Sequence, residues 1–223
     1  MASDEALMKL LEPCTSARLL DCGCGDGSLT ARVARKVGTE DVWGLEIGGE
    51  SSQKARVHGV KVVRAELNRG LPFVDETFDA VLTSRTFSCL WNIDHFLREV
   101  RRILRVGGYF AILNANLASL HNVLYLLLGL QPLGAPASNE GPVGTWDPFG
   151  TTVVSPWSNK APTMTGLRAL LTRHRFLVEG VKGVGYYPLP GVLARTAATL
   201  DKRHASWIAL KGRRLPDGGG RDE

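Results

Sequence analysis

A chain of 223 residues, 44% hydrophobic and 22% charged, has the make-up of one globular domain and is too apolar for an intrinsically disordered polymer. Its formal charge of +5 is scattered, gathering only at Arg98, Arg101, Arg102 and Arg105 and at Lys211, Arg213 and Arg214, so it reads as a solvated helix face and a basic tail rather than a nucleic-acid surface. Cys14, Cys22, Cys24 and Cys89 lack the spacing of paired zinc knuckles, so they are read as free thiols and no metal is expected. The acidic start Met1-Ala2-Ser3-Asp4-Glu5, with no apolar stretch after a basic opening, predicts a cytoplasmic protein without a secretory leader. The longest apolar run, 123–130, is far short of the about 20 residues that span a bilayer, and is read as a core or lid helix. A dimer contact would explain that run equally well.

Taken in order, 5–12 has a short helical pattern, and 17–22 is a brief apolar run that ends in a glycine cluster, as a buried parallel strand would. Residues 28–37 are spaced as a helix on Leu29, Val33 and Val37; 41–47 and 61–64 read as strands two and three, and 78–83 as a fourth. From 93 to 104, Phe96, Leu97, Val100, Ile103 and Leu104 share one helical face opposite the arginines; Gly107-Gly108 is expected to stop that helix before a fifth strand at 109–113. An apolar helix over 117–130 leads into a stretch rich in Gly, Pro, Ser, Asn and Thr that reaches 162, long enough to be a lid. Then come a helix (165–174), a strand (177–184), a helical segment (190–200), a last strand (207–210) and a disordered tail (216–223). This alternation predicts a mostly parallel seven-stranded sheet in a Rossmann-like three-layer α/β sandwich with an antiparallel C-terminal hairpin. One domain would fill 1–215, with an insertion at about 117–162, and ligands would bind outside the carboxyl ends of the strands.

The informative segment is Asp21-Cys22-Gly23-Cys24-Gly25-Asp26-Gly27, three glycines at alternate positions between a strand and a helix. Glycine suits a turn that takes positive φ and lets a ligand approach the main chain. The dinucleotide fingerprint G-x-G-x-x-G would need a glycine where Ser28 stands, which argues against NAD. Glu46, at the end of the second strand and about 20 residues on, is placed to accept from both hydroxyls of a ribose. A nucleoside ligand follows.

At these residues the chain resembles class I methyltransferases that use S-adenosylmethionine, in their small-molecule branch. Asp21-x-Gly23-x-Gly25-x-Gly27 is similar to their first motif and Gly44-Leu45-Glu46-Ile47 to their second, and further blocks at Ala65-Glu66-Leu67-Asn68, Leu71-Pro72-Phe73, Phe96-Leu97-Arg98-Glu99 and Gly183 to Pro190 continue the likeness from about residue 15 to 212. The resemblance implies that Asp21 and the loop of Gly23, Cys24, Gly25 and Gly27 hold the methionine part of the cofactor, Glu46 the ribose and Ile47 one adenine face, with Glu66 and Leu67 flanking the adenine and Ser84 facing the amino-acid end through its backbone. S-adenosylhomocysteine would be the product and a small-molecule O or N atom the acceptor. Where that branch often carries Glu-x-x-Glu-His-Leu, this chain has Arg85-Thr86-Phe87-Ser88-Cys89-Leu90, which implies a changed acceptor, a changed closure of the site, or lost activity.

Methyl transfer from a sulfonium is an in-line displacement that needs alignment and exclusion of water, and a base only where the acceptor carries a proton. His121, at the edge of the apolar stripe after the fifth strand, is the best-placed base, and Asn116 in the preceding turn either binds acceptor or shapes the turn. His58, His174 and His204 read as surface groups, and Trp91, Trp146, Phe149 and Trp157 as aromatic material for a pocket or lid. Two other readings stay open: a nucleic-acid or protein acceptor, for which there is no binding domain or RNA motif, and a cofactor-binding regulatory protein without catalysis.

Overall fold

The computed structural model describes residues 2–135, 144 and 161–217. The sequence expectations for Trp146, Phe149, Trp157, most of the 117–162 insertion and the tail from 218 on lie outside them. The helices are α1 (Ala2–Met8), α2 (Ser28–Val37), α3 (Gly49–Val57), α4 (Ile93–Ile103), α5 (Leu120–Leu127), α6 (Met164–Arg173) and α7 (Gly191–Leu200); the strands are β1 (Leu19–Cys22), β2 (Val42–Leu45), β3 (Lys61–Val63), β4 (Phe78–Ser84), β5 (Leu104–Ala115), β6 (Phe176–Val184) and β7 (Trp207–Arg214).

The sheet runs β3-β2-β1-β4-β5-β7-β6. β1 pairs in parallel with both β2 and β4, and β4 with β5, whereas β7 is antiparallel to β5 and to β6. The chain therefore leaves β1 to one side, and returns to lay β4 on the other. That reversal opens a crevice above the carboxyl ends of β1 and β4, where open parallel sheets bind ligands.

Each face of the sheet carries its own core. On one side α1, α2 and α3 bury Leu7, Val33, Val37 and Ala55; on the other α4 and α6 bury Phe96, Leu97, Val100, Ile103, Leu167 and Leu171. The α4 residues are the stripe that the 3.6-residue period picks out, and all four are fully buried. α5 and α7 contribute to neither core. Among the described residues no helix is long and apolar enough to cross a membrane.

Several elements differ from expectation. α4 ends at Ile103, four residues before the glycine pair, because Leu104 already pairs with Phe78 and begins β5. β7 continues to Arg214 through Lys211, a lysine buried beside Glu12 and Glu179. α5 is shorter than 117–130, and its last turn is not core: Leu126, Leu127 and Leu128 are exposed.

Candidate cofactor site

The glycine loop rises from the carboxyl end of β1 and feeds α2. Gly23, Gly25 and Gly27 all have positive φ, at 84°, 55° and 78°. A β-carbon on Gly27 would stand 2.7 Å from the Ala55 main chain, so this glycine lets α2 and α3 approach. Gly25 is different: a β-carbon there would meet nothing within 4 Å, and the crest of the loop faces open space. A ligand can lie directly on that backbone. Gly25→Ala should therefore cost about 1–2 kcal/mol of stability through its left-handed φ, while obstructing whatever lies on the crest; titration with S-adenosylmethionine beside a thermal melt separates the two effects.

Two carboxylates frame the loop. Glu46, just past β2, reaches across and accepts from the Gly25 N–H at 3.0 Å and from the Gly48 N–H at 2.8 Å. Each oxygen keeps lone pairs for a further donor. Asp21, on β1 beneath the loop, is almost wholly buried; its Oδ2 accepts from the Thr30 hydroxyl at 2.6 Å and its Oδ1 has no partner among the described residues. Burial raises its pKa to about 7, the Thr30 hydrogen bond opposing this and the Glu46 charge adding to it. A buried, half-satisfied carboxylate under an open loop invites a cationic or hydrogen-bond-donating ligand.

The remaining expected residues lie in the glycine loop, at the end of β4 and on the segments that follow β2 and β3. Ile47 is 55% exposed beside Glu46, an uncovered apolar surface suited to a flat ring. Glu66 is half-buried after β3 and accepts from the Asn68 side chain at 2.8 Å, while Leu67 is buried in the core. Ser84 ends β4, and Thr86, two residues on, hydrogen-bonds the Ser84 carbonyl at 3.2 Å and the Gly23 carbonyl at 3.5 Å. Cys24 turns away: its sulfur fills the space that a Gly44 side chain would need, and burial pushes its pKa up to about 12.

One partner was not readable from the sequence. α1 brings Asp4 to the same edge, where its carboxylate takes the Arg85 guanidinium at 2.6 Å and Arg32 at 3.1 Å. Arg85 has φ of 63° and lies 5.4 Å over the Trp207 ring. The ion pair spans 81 positions, so no local pattern announces it.

On the other half of the sheet, Asn116 follows β5 with its amide donating to the Arg203 and Ala205 carbonyls, both at 2.7 Å, and its oxygen accepting from the Ala118 N–H. It ties the end of β5 to the entry of β7. His121 sits in the first turn of α5, its ring 5.5 Å from Tyr187 and 6.1 Å from Tyr125. Nε2 is 3.2 Å from the Ser119 hydroxyl and Nδ1 is buried without a partner among the described residues. Burial lowers its pKa, leaving it neutral at pH 7. His174 is buried rather than superficial, bonded to Asp94 at 2.7 Å.

Residues 20–112, which hold the glycine loop, Glu46 and β4, match the family model described as methyltransferase domain. Over those residues the chain matches a methyltransferase domain, and the sheet that carries them has the fold of S-adenosylmethionine-dependent methyltransferases of known structure. This domain is 34% identical over 102 residues to a fatty-acid O-methyltransferase of Mycolicibacterium smegmatis, covering 44% of this chain and 37% of that protein. It is 33% identical over 97 residues to a phthiotriol/phenolphthiotriol dimycocerosates methyltransferase of Mycobacterium tuberculosis, covering 42% and 36%. The chain thus spans well under half the length of these curated relatives. For the fold, an S-adenosylmethionine-dependent methyltransferase from Mesorhizobium loti superposes with a TM-score of 0.67 at 19% identity, over 96% of this chain and 98% of that one. The match to the methyltransferase domain model stops at residue 112, three residues before β5 ends. Asn116, His121 and the acceptor side lie beyond it.

Proposed function

We propose that the chain transfers a methyl group from S-adenosylmethionine to an O or N atom of a small, largely apolar acceptor. The observation that carries this is the joint presence, at one end of β1 and β2, of an unpartnered buried Asp21 Oδ1, the two-pronged Glu46 carboxylate and the open crest at Gly25. Those residues fit the cofactor: Glu46 for the ribose hydroxyls, the loop and Asp21 for the methionine end, exposed Ile47 for the adenine. When bound, the cofactor supplies a methyl group on a cationic sulfur.

The protein's part is then mostly alignment. The glycine loop would hold the donor along its open crest at Gly25, and the β5–α5 segment would present the acceptor from the neighbouring side. His121 supplies the proton acceptor where the acceptor atom carries a hydrogen: held neutral by burial, it takes the proton on Nδ1 while Nε2 stays against Ser119. An apolar acceptor is supported by the aromatic neighbours Tyr125 and Tyr187, and by the fatty-acid and dimycocerosate methyltransferases named above as relatives. His121→Gln should lower kcat by about a hundredfold or more with little change in cofactor affinity. It should also remove the fall in rate expected of the native protein as acid protonates this imidazole below its ordinary range; an unchanged pH profile would discard His121 as the base.

Calorimetric titration with S-adenosylmethionine, S-adenosylhomocysteine and NAD tests the cofactor half. Binding of the first two and not the third is the expected result. Methyl transfer is then read as S-adenosylhomocysteine release with long-chain acids and alcohols against polar amines, and turnover confined to the polar amines would overturn the apolar acceptor.

A further inference from the structure

Outside the cofactor crevice, the least explained feature is apolar surface on two helices that lie beside the carboxyl edge and belong to neither core. Leu127 at the end of α5 and Leu128 just after it are 77% and 70% exposed, and Val192, Leu193 and Leu200 on α7 are 74%, 61% and 83% exposed. His121 of α5 lies edge to face with Tyr187, four residues before α7 begins, and Leu124 and Leu128 follow His121 at helical spacing, so the apolar side chains after each ring lead away from the candidate acceptor side. Burying such side chains is favourable and leaving several adjacent ones in water is unusual, which marks an interaction surface.

Charge selects the occupant. Residues 117–135 contain no charged side chain, and 181–205 contain Lys182, Arg195, Lys202 and Arg203 against a single acid, Asp201. That acid is already engaged by His204 at 2.5 Å and by the Tyr186 hydroxyl at 2.7 Å. Arg195, Lys202 and Arg203 are exposed and form no salt bridge among the described residues. Apolar side chains flanked by uncompensated cations match an anionic bilayer surface: leucines enter the acyl boundary while the cations meet lipid headgroups. A protein partner of matching apolar shape would not need the cations, and no described helix is long and apolar enough to cross a membrane, so the contact proposed is lateral.

We propose that the α5–α7 face docks on anionic membrane, with the acceptor side of the domain opening toward the lipid. The surface does not depend on methyl transfer, so its test does not either. The full chain is sedimented with vesicles of phosphatidylcholine and of phosphatidylcholine mixed with phosphatidylglycerol, at low and high salt. Expected are binding to the anionic vesicles that weakens with salt, a loss of about tenfold or more for Leu127→Asp with Val192→Asp, and loss of the anionic preference in R195E with K202E. Both pairs are exposed, so unchanged thermal melts certify the fold. No binding to anionic vesicles, or binding indifferent to both pairs of substitutions, overturns the proposal. So does a dimer in solution that Leu127→Asp dissociates, because the face would then be filled by a second copy.

Discussion

Asp21→Asn should make the protein more stable at pH 8 and a poorer binder of S-adenosylmethionine. Moving the carboxyl from 3.8 to about 7 corresponds to a penalty on the order of 4 kcal/mol once the group is ionised. Asparagine removes that penalty. Its carbonyl still accepts from Thr30, but its amide then faces the position of the unpartnered Oδ1, at a cost of about 1–3 kcal/mol. The difference is a gain of about 1–3 kcal/mol. Because the folded pKa lies above the unfolded one, the native state holds a proton that the unfolded chain has released between pH 4 and 7. The contribution of Asp21 to stability therefore falls as pH rises through that window, and is level on either side of it. Thermal melts of native and variant protein should converge at pH 5 and separate at pH 8. A cationic ligand is drawn to the ionised form, so native affinity should rise across pH 7 while that of the variant stays flat, the gap at pH 8 being about ten- to hundredfold. Coincident melts at pH 8 would show that Asp21 is not held in a desolvated site.

Glu46→Ala should weaken the cofactor by about two orders of magnitude or more, since two charge-assisted hydrogen bonds of about 1.5–3 kcal/mol each are removed. The native carboxylate also splints Gly25 to Gly48 through their N–H groups, so the alanine loosens the loop as well. Glu46→Gln separates the two effects: its carbonyl can serve one N–H, but its amide meets the other donor with a donor. An intermediate loss is expected for glutamine, with a global melting temperature close to native for both variants because Glu46 is only half-buried. Unchanged affinity in the alanine variant would falsify the placement of the ribose.

How much of this was legible depended on how local the signal was. The glycine loop and Glu46 could be read because a tight turn constrains neighbouring residues and the second strand returns within about 20 positions. The α4 stripe was legible because one face is wholly buried. By contrast, α3 buries little more than Ser52 and Ala55, so its sequence carries no apolar period to read. β7 looked finished at Leu210, since Lys211 and Arg214 resemble tail residues; both are buried because Glu12, Glu179 and Glu76 come from elsewhere in the chain to pair with them. His174 was misjudged for the same reason, its partner Asp94 lying 80 positions away. Long-range ion pairs leave no trace in periodicity, and in this protein they accompany the extension of β7 to Arg214 and make the Asp4–Arg85 contact at the crevice.

The sulfur of Cys24, folded under the glycine loop against Gly44, turns that loop into its own reporter. With its pKa near 12 and its surface covered, the thiol is inert to alkylation while the loop stays down, whereas Cys14 on the outside labels freely. The labelling rate of Cys24, set against Cys14 in the same sample, therefore counts openings of the loop, and a ligand that lies across Gly25 slows that clock without any change to the sequence.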